Sequence, residues 1–417
     1  MVLDPPITSR EAHAIGGSPG SWQASATRSF DKDAPFVRVE APIALAPLEN
    51  GAPMADATAL LDAPDPIRHR RGSDFAPLLT ELKAAGLLER RRAWYARVIG
   101  LDLVFLLGAW AAVLWLGDSW WQLALAVPVA LFTTRASFIG HDAGHRQIGT
   151  SARTHRVLSL LHGNVLMGMS CGWWNAKHSK HHANPNHRDK DPDVSVGILV
   201  WDADQTSGRT GLAGWLTRHQ ARLFFPLLLL EGLNLKVNGL IALRERTPRE
   251  RVVEGAALCV HYALYISVLA IAMSPLKAVA FVLLSHALLG LHLGMAFAPN
   301  HKGMPMPEPG VEWDHLRRQV LTSRNVRGGP VTDWMLGGLN YQVEHHLVPN
   351  LPRGNLRRAQ PLVRAHCARL GVPYRETSLI DSYRQALGHM HAVGAPLRAL
   401  TRACGRRGAS GSTTDGD

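Results

Sequence analysis

The sequence predicts an all-α integral membrane protein, with four transmembrane helices in two hairpins, interfacial helices beside them and a helical cap on one face of the bilayer. Three observations predict it. Apolar residues gather in four blocks near the ~20 residues that cross a bilayer core, short turns join the blocks in pairs, and arginine and histidine crowd the segments outside them. Whole-chain averages hide this pattern. With 46% hydrophobic residues and a mean hydropathy of −0.03, the 417 residues would pass for a soluble protein. The dilution comes from a polar leader at 1–72, read as disordered, and a C-terminal tail at 382–417, which flank a membrane domain at 73–381.

The elements follow in order. Ser73 or Asp74 is placed to cap a helix with Pro77 in its first turn, and Leu78, Leu79, Leu82, Leu87 and Leu88 alternate with charge, which reads as an interfacial helix. It ends in Arg90, Arg91, Arg92 and Arg97, a collar suited to anionic headgroups. The first hairpin runs from Val98 to Gly117 and from Trp120 to Ile139, with Trp115, Trp120 and Trp121 near the turn, where an aromatic belt belongs. The second runs from Val253 to Met273 and from Lys277 to Ala298, turning at Ser274 and Pro275.

Two weaker apolar stretches lie between the hairpins, Val157 to Trp174 and Leu223 to Leu243. Glu231, Asn234, Lys236 and Asn238 interrupt the second. A charge at mid-bilayer costs roughly 2.5–3.5 kcal/mol, so both stretches read as interfacial or re-entrant helices. Two hairpins then place both termini and the segment from His141 to Arg251 on one side. That side carries Arg244, Arg246, Arg249, Arg251, Arg317, Arg318, Arg324, Arg327, Arg357 and Arg358, whereas the turns carry only Asp118 and the flanking Lys277. By the positive-inside rule it is cytoplasmic.

The net charge of +12 is thereby a membrane-facing feature and gives no argument for nucleic acid. The N-terminus has no basic segment leading into an apolar core, so insertion is expected to use an internal span. Four dispersed cysteines, Cys171, Cys259, Cys367 and Cys404, form no Cys-x-x-Cys pair, which argues against a zinc ribbon, an iron–sulfur cluster or a disulfide scaffold and fits a reducing compartment.

Three histidine clusters stand just outside the spans: HDAGH (His141, His145), HSKHH (His178, His181, His182) and QVEHH (Gln342, His345, His346). Residues four apart on a helix share a face, so His141 and His145 can meet at one metal, as can His178 with His181 or His182. Adjacent positions point about 100° apart, so each His-His doublet serves two metals more easily than one. With His301, in NHKG at the end of the last span, the count reaches eight. That exceeds a zinc site, which four ligands satisfy, and favours two redox-active irons held in the cap.

Any one of these histidines alone would be an unremarkable polar residue at a helix end. His155, His162, His187, His219, His261, His366, His389 and His391 are read that way. His286 and His292 lie inside a span, where an ionisable group is a functional candidate by default. Asn184, Asp189, Asp191 and Asp193 follow the second cluster and read as groups that orient ligand imidazoles, since the spacing suits no calcium loop.

Taken together, HDAGH, HSKHH with HANPNHRDKDPD, and GGLNYQVEHHLVPNLPR resemble the three histidine boxes of membrane fatty acid desaturases, in the same order around two hairpins, over roughly Ser73 to Asp381. Gln342 in place of a first histidine is similar to the front-end branch and its bacterial relatives. The resemblance implies two irons bound by His141, His145, His178, His181, His182, His301, His345 and His346, with O2 as co-substrate and removal of hydrogen from adjacent methylene carbons to leave a cis double bond. It also implies a narrow acyl tunnel between spans and cap.

Two departures bear on the ligand set. Phe297 stands where the family often has an asparagine, leaving neighbouring Asn300 as a water-mediated ligand, and Gln342 would be a weak one. No side chain beyond the metal site is expected to act in catalysis. HAIGG at His13 to Gly17 is a poor match to the HPGG haem motif of a fused cytochrome b5, so the resemblance implies an external ferredoxin or cytochrome with its reductase, docked on the Arg-rich face. The acyl carrier is coenzyme A, acyl carrier protein or a glycerolipid. The Arg, Ala and Gly content suggests a bacterial cytoplasmic membrane. The competing readings are a lipid, alkane or carotenoid hydroxylase or ketolase on the same scaffold, and a histidine-rich metal transporter or sensor, which would need ligands along a path across the bilayer.

Overall fold

The computed structural model describes residues 73–400 except 308, 309 and 312. The leader at 1–72 and the last residues of the tail lie outside the described part. Among the described residues the regular structure is helical, apart from one short parallel pairing of Asn325–Val326 (β1) with Glu376–Thr377 (β2).

Helices α1 (Phe75–Ala84), α2 (Arg92–Leu116), α3 (Gln122–Gly144), α4 (Ala152–Ser159) and α5 (Cys171–Ala183) lead to α6 (Gly211–Ile241), α7 (Pro248–Ala272) and α8 (Pro275–His301). Five segments are long and apolar enough to cross a membrane: α2, α3, α7, α8 and Gly211–Glu245, which is α6 with the turn after it. The four sequence blocks correspond to α2, α3, α7 and α8. Each helix except α2 runs past its block at the end nearer the histidines, and α2 does so at its arginine-rich start, because helices continue into polar territory that a hydropathy block does not register.

The two hairpins are joined at their turns. Asp118 accepts the Ser274 amide (2.7 Å) and pairs with Lys277 (2.9 Å). Inside the first hairpin, buried Gln122 donates to the carbonyls of Val113 and Gly117, satisfying backbone groups that the turn leaves open. Ala109, Val113, Ala126, Val129, Leu269 and Phe281 form the core between the hairpins.

The segment Val157 to Trp174 is not one helix. A π-helical turn at Leu160–Met167 follows α4, and α5 starts afresh at Ser170, whose hydroxyl accepts the Trp173 amide. The second weak stretch belongs to the single 31-residue helix α6. It crosses α8 where Gly232 meets Gly290, so closely that a Cβ on Gly232 would lie 2.5 Å from the His286 carbonyl oxygen. Its polar residues divide by face. Glu231, Asn234 and Asn238 hydrogen-bond in a row, while Lys236 is buried against His261 (3.3 Å).

The cap comprises α9 (His315–Leu321), α10 (Pro330–Met335), α11 (Gln342–Leu347), α12 (Leu356–Arg369) and α13 (Leu379–Val393). Three readings change here. The leucine stripe of α1 does not lie on a bilayer surface: Leu78, Leu82 and Leu87 are buried with Leu316, Val343, Leu351 and Val363 of the cap. A helix with one apolar face gives the same sequence pattern whichever apolar partner covers it. The boundary drawn at 381 falls inside α13, whose Ser382, Tyr383, Ala386 and Met390 are buried. Arg324, counted above among the surface arginines, is fully buried. It donates to the Pro299 carbonyl, Ser382 and Gln385, tying the end of α8 to α13, and burial pushes its guanidinium down to about 10.

Candidate metal centre

The eight histidines meet from four helices, α3, α5, α8 and α11, in two groups. His141, His145, His178, His182 and His345 form one, and His181, His301 and His346 the other, with ring nitrogens in each group within 4.8 Å of one another. Both doublets divide between the groups, as the ~100° step along a helix dictates. His178 shares its group with His182 and not with His181. The groups adjoin, since the rings of His182 and His346 stack at 4.1 Å. All eight lie in the buried junction between the ends of α3 and α8 and the cap.

The hydrogen bonds set the ring orientation. His346 Nδ1 faces Gln319 Oε1 (3.1 Å), His301 Nδ1 faces the Thr322 carbonyl (3.0 Å), and His181 Nδ1 faces Asp191 (2.9 Å). Each acceptor fixes the proton on Nδ1 and turns Nε2 inward. There His141 Nε2 and His178 Nε2 stand 3.1 Å apart, His182 Nε2 and His178 Nε2 also 3.1 Å, and His301 Nε2 and His346 Nε2 3.0 Å. His145 Nε2 and His345 Nε2 are buried with no hydrogen-bond partner among the described residues.

A buried polar atom with no partner costs free energy. Inward lone pairs at this density fit bound cations, and an imidazole-only donor set suits iron better than calcium or magnesium. Burial, followed by the neighbouring imidazoles, holds His178, His182, His345 and His346 well below the usual imidazole range, so they are neutral and able to ligate. His181 moves the other way, because the Asp191 carboxylate outweighs the opposing effect of burial.

Gln342 and Asn300 lie at the second group. The Gln342 side-chain amide is 2.8 Å from His301 Nε2, and Asn300 Nδ2 reaches Gln342 Oε1 at 3.3 Å. Phe297 instead packs an apolar wall against His141 and Trp174. Asp191 and, at 3.6 Å, Asp193 reach His181, whereas Asn184 caps the end of α5 and the Asp189 amide turns to His187. His286 and His292 are outside both groups, bonded to the carbonyls of Val282 and Met335.

Sequence reasoning did not single out Gln319, Thr322 or Trp174, which stacks on His178. Nor did it connect Asp142, beside His141, to Arg353, which pairs with it at 3.0 Å. Asp142 lay in view inside HDAGH. Gln319 carries no sequence signal, because it acts through cap packing that only the fold supplies.

Comparison with known proteins agrees with this geometry. The model of the family described as fatty acid desaturase matches residues 118–378. Fatty acid desaturase 3 of Bos taurus is 31% identical over 75% of this chain and 71% of its own length. The Delta(8)-fatty-acid desaturase of Borago officinalis is 25% identical over 79% of this chain and 76% of its own. The match to the acyl-lipid (9-3)-desaturase of Physcomitrium patens, 25% identical, covers 73% of this chain and 60% of that relative. With the family model spanning more than half of its length, this chain belongs to the fatty acid desaturase family.

Proposed function

We propose that this desaturase introduces a cis double bond into a fatty acyl chain, using O2, two electrons from an external ferredoxin or cytochrome, and two irons held by His141, His145, His178, His182 and His345 on one side and His181, His301 and His346 on the other. In balance, –CH2–CH2– with O2, two electrons and two protons gives –CH=CH– and two waters. The observation that carries the reading is the convergence of inward ring nitrogens in a buried pocket of a desaturase-family chain. When bound, the irons supply the O2-dependent removal of two hydrogens, chemistry no side chain here could perform.

The protein's own residues bind, orient and exclude. Asp191, Gln319 and the Thr322 carbonyl hold Nδ1 protons so that Nε2 lone pairs face the metals. The Asp142–Arg353 pair steadies His141. Trp174 and Phe297 form a water-excluding wall beside His178 and His141, where the target carbons would lie. Gln342 and Asn300 complete the second iron's surroundings as weak or water-mediated ligands.

Four spans, not five, are proposed to cross the bilayer. Thr217 and Gln220, near the start of α6, touch α13 and the Val200 loop on the histidine side. Its other end passes through a four-residue turn into α7, which begins on that same side because α7 and α8 form a hairpin ending at His301. A helix with both ends on one side does not cross. The cap and histidines would then face the cytoplasm of a bacterial membrane, by the arginine count.

Expression with a fatty acid supplement and mass spectrometry of the products tests the activity. A new alkene is expected, lost in His181→Ala and kept in His155→Ala. A hydroxylated product without an alkene would overturn the reading.

A further inference from the structure

Helix α10 occupies a position that the chemistry above does not use. It lies over the seam between α3 and α8, at the depth of the bilayer. Its partners Arg135 and His292 stand six and nine residues before His141 and His301 along their helices, or about 9 and 13 Å deeper than the histidines. Outward it exposes Val331 (75%), Trp334 (40%) and Met335 (37%), an apolar face that none of the described residues covers. Inward, the Leu336 and Leu339 that follow it pack on Phe138, Ala296 and Phe297, and Phe297 is the residue against His141.

Asp333 ties α10 to the segment that follows it, accepting from Asn340 Nδ2 (2.8 Å) and the Tyr341 hydroxyl (3.3 Å), and the two spans grip the helix at its end. Its last two carbonyls are held by side chains of the spans, Trp334 O by Arg135 Nη1 and Met335 O by His292 Nε2, both at 2.7 Å. The Arg135 guanidinium also sits 4.3 Å over the Trp334 ring, and Asp102 fixes Arg135 from behind at 2.7 Å. Glycine pairs flank the helix, Gly328–Gly329 before it and Gly337–Gly338 after it, the latter both at positive φ (+60° and +75°). Gly337 and Gly338 hold conformations that other residues rarely adopt, and they pack closely: a Cβ on Gly337 would lie 2.4 Å from the Phe138 ring. Gly329 has nothing within 4 Å, so α10 can swing about Gly329 and its far end moves together with the contact on Phe138.

We propose that α10 is a lateral gate in the wall between α3 and α8, through which acyl chains still esterified in bilayer lipids reach the histidine groups, so that the acyl carrier is a membrane glycerolipid. This rests on the desaturase reading and narrows it. A carrier dissolved in water would deliver its acyl chain from the cap side and would not need an opening at bilayer depth. A lipid acyl chain is already at that depth, and displacing α10 with the Leu336 and Leu339 that follow it would uncover Phe138 and Phe297, the latter packed against His141.

The test uses the full chain with Phe132→Cys and Trp334→Cys, whose parent rings are 6.4 Å apart, on a background with the native cysteines replaced by serine. The protein is placed in phosphatidylcholine vesicles containing a lipid with a mid-chain diazirine, and the cysteines are bridged by a reducible bis-methanethiosulfonate. Photolabelling of peptides carrying Phe138 or Phe297 is expected to fall about tenfold on bridging and to return on reduction, with labelling at Val331 unchanged. Inner labelling that is indifferent to the bridge, absent throughout, or obtained only from a diazirine acyl-coenzyme A added to the water would overturn the gate.

Labelling needs no turnover, so a protein that labels inside but makes no alkene keeps the gate and loses the desaturase reading. Should the double variant fail to insert, Trp334→Ala, which keeps both backbone latches but removes the ring, is expected to raise inner labelling at least about twofold. Unchanged labelling in that variant refutes the gate equally.

Discussion

Replacing Asp191 by alanine gives a sharp test of how the metal centre is held. Asp191 Oδ2 faces His181 Nδ1 at 2.9 Å and also accepts the Asn186 amide at 2.7 Å, while Oδ1 accepts the Asp193 amide at 2.9 Å. The carboxylate is therefore anchored by the loop and fixes one proton of one ligand. A hydrogen bond to a charged partner contributes roughly 1.5–3 kcal/mol, and about 1.4 kcal/mol is tenfold in an equilibrium constant. Asp191→Ala should weaken iron binding about ten- to a hundredfold, in the range that loss of orienting partners produces.

Asp191→Asn keeps an oxygen for Nδ1–H and loses the charge, so it should fall between alanine and the native residue. Asp193→Ala, which removes a contact at 3.6 Å, should cost less than either. Iron per chain across a chelator series, read by elemental analysis of purified protein, gives the three affinities. Equal affinity in Asp191→Ala and the native chain, or a larger loss for Asp193→Ala, would refute the claim that Asp191 orients His181.

Other outcomes follow from the same contacts. Gln319→Leu removes the acceptor for His346 Nδ1 and the donor to the His182 carbonyl, so iron content and the optical signature of the bound metal should both change, with affinity down by about tenfold or more. Gly232→Leu drives a side chain into the His286 carbonyl and should lower stability by ~1–3 kcal/mol, seen as a reduced Tm in detergent. Gly255→Ala, on α7 with nothing within 4 Å of the added carbon, should leave the Tm unchanged or raise it. Arg324→Met removes the guanidinium that donates to the Pro299, Lys302 and Ser382 carbonyls, leaving the Pro299 oxygen to the Ser382 hydroxyl, and each lost charged bond contributes about 1.5–3 kcal/mol. Limited proteolysis should then cut α13 first, and a cut pattern matching the native chain would count against that junction.

The two hairpins were legible because crossing a bilayer leaves a signal that composition alone carries: an uninterrupted apolar run of fixed length. The histidines were legible for a related reason, since helical spacing within each box already states which residues share a face. What was illegible depends on partners far away in sequence. The leucines of α1 gave a correct helix and the wrong neighbour. The polar residues of α6 marked it as unlike a span without showing that Lys236 is buried against His261. The short α10 between its glycines has too few residues for any periodicity to register, and α13 was cut because its packing on α6 has no local signature.

That distribution has a consequence for how the centre assembles. Each box is oriented from outside itself. Asp142 of the first is held by Arg353 beyond the third, and His182 of the second and His346 of the third are both held by Gln319. His301 at the end of α8 is held by the Thr322 carbonyl, and Asn186, beyond the second box, donates to the carbonyl of His301. No box can reach its final geometry before the cap has docked on the hairpins. Residues that share such a network do not contribute independently. Gln319→Leu with Asp191→Ala should therefore lose less iron affinity than the product of the two single losses, because either change alone already loosens the surroundings of His181, His301 and His346. A double variant whose loss equals that product would mean that Asp191 and Gln319 act independently on the group of His181, His301 and His346, and the cooperative account of the cap would fall with it.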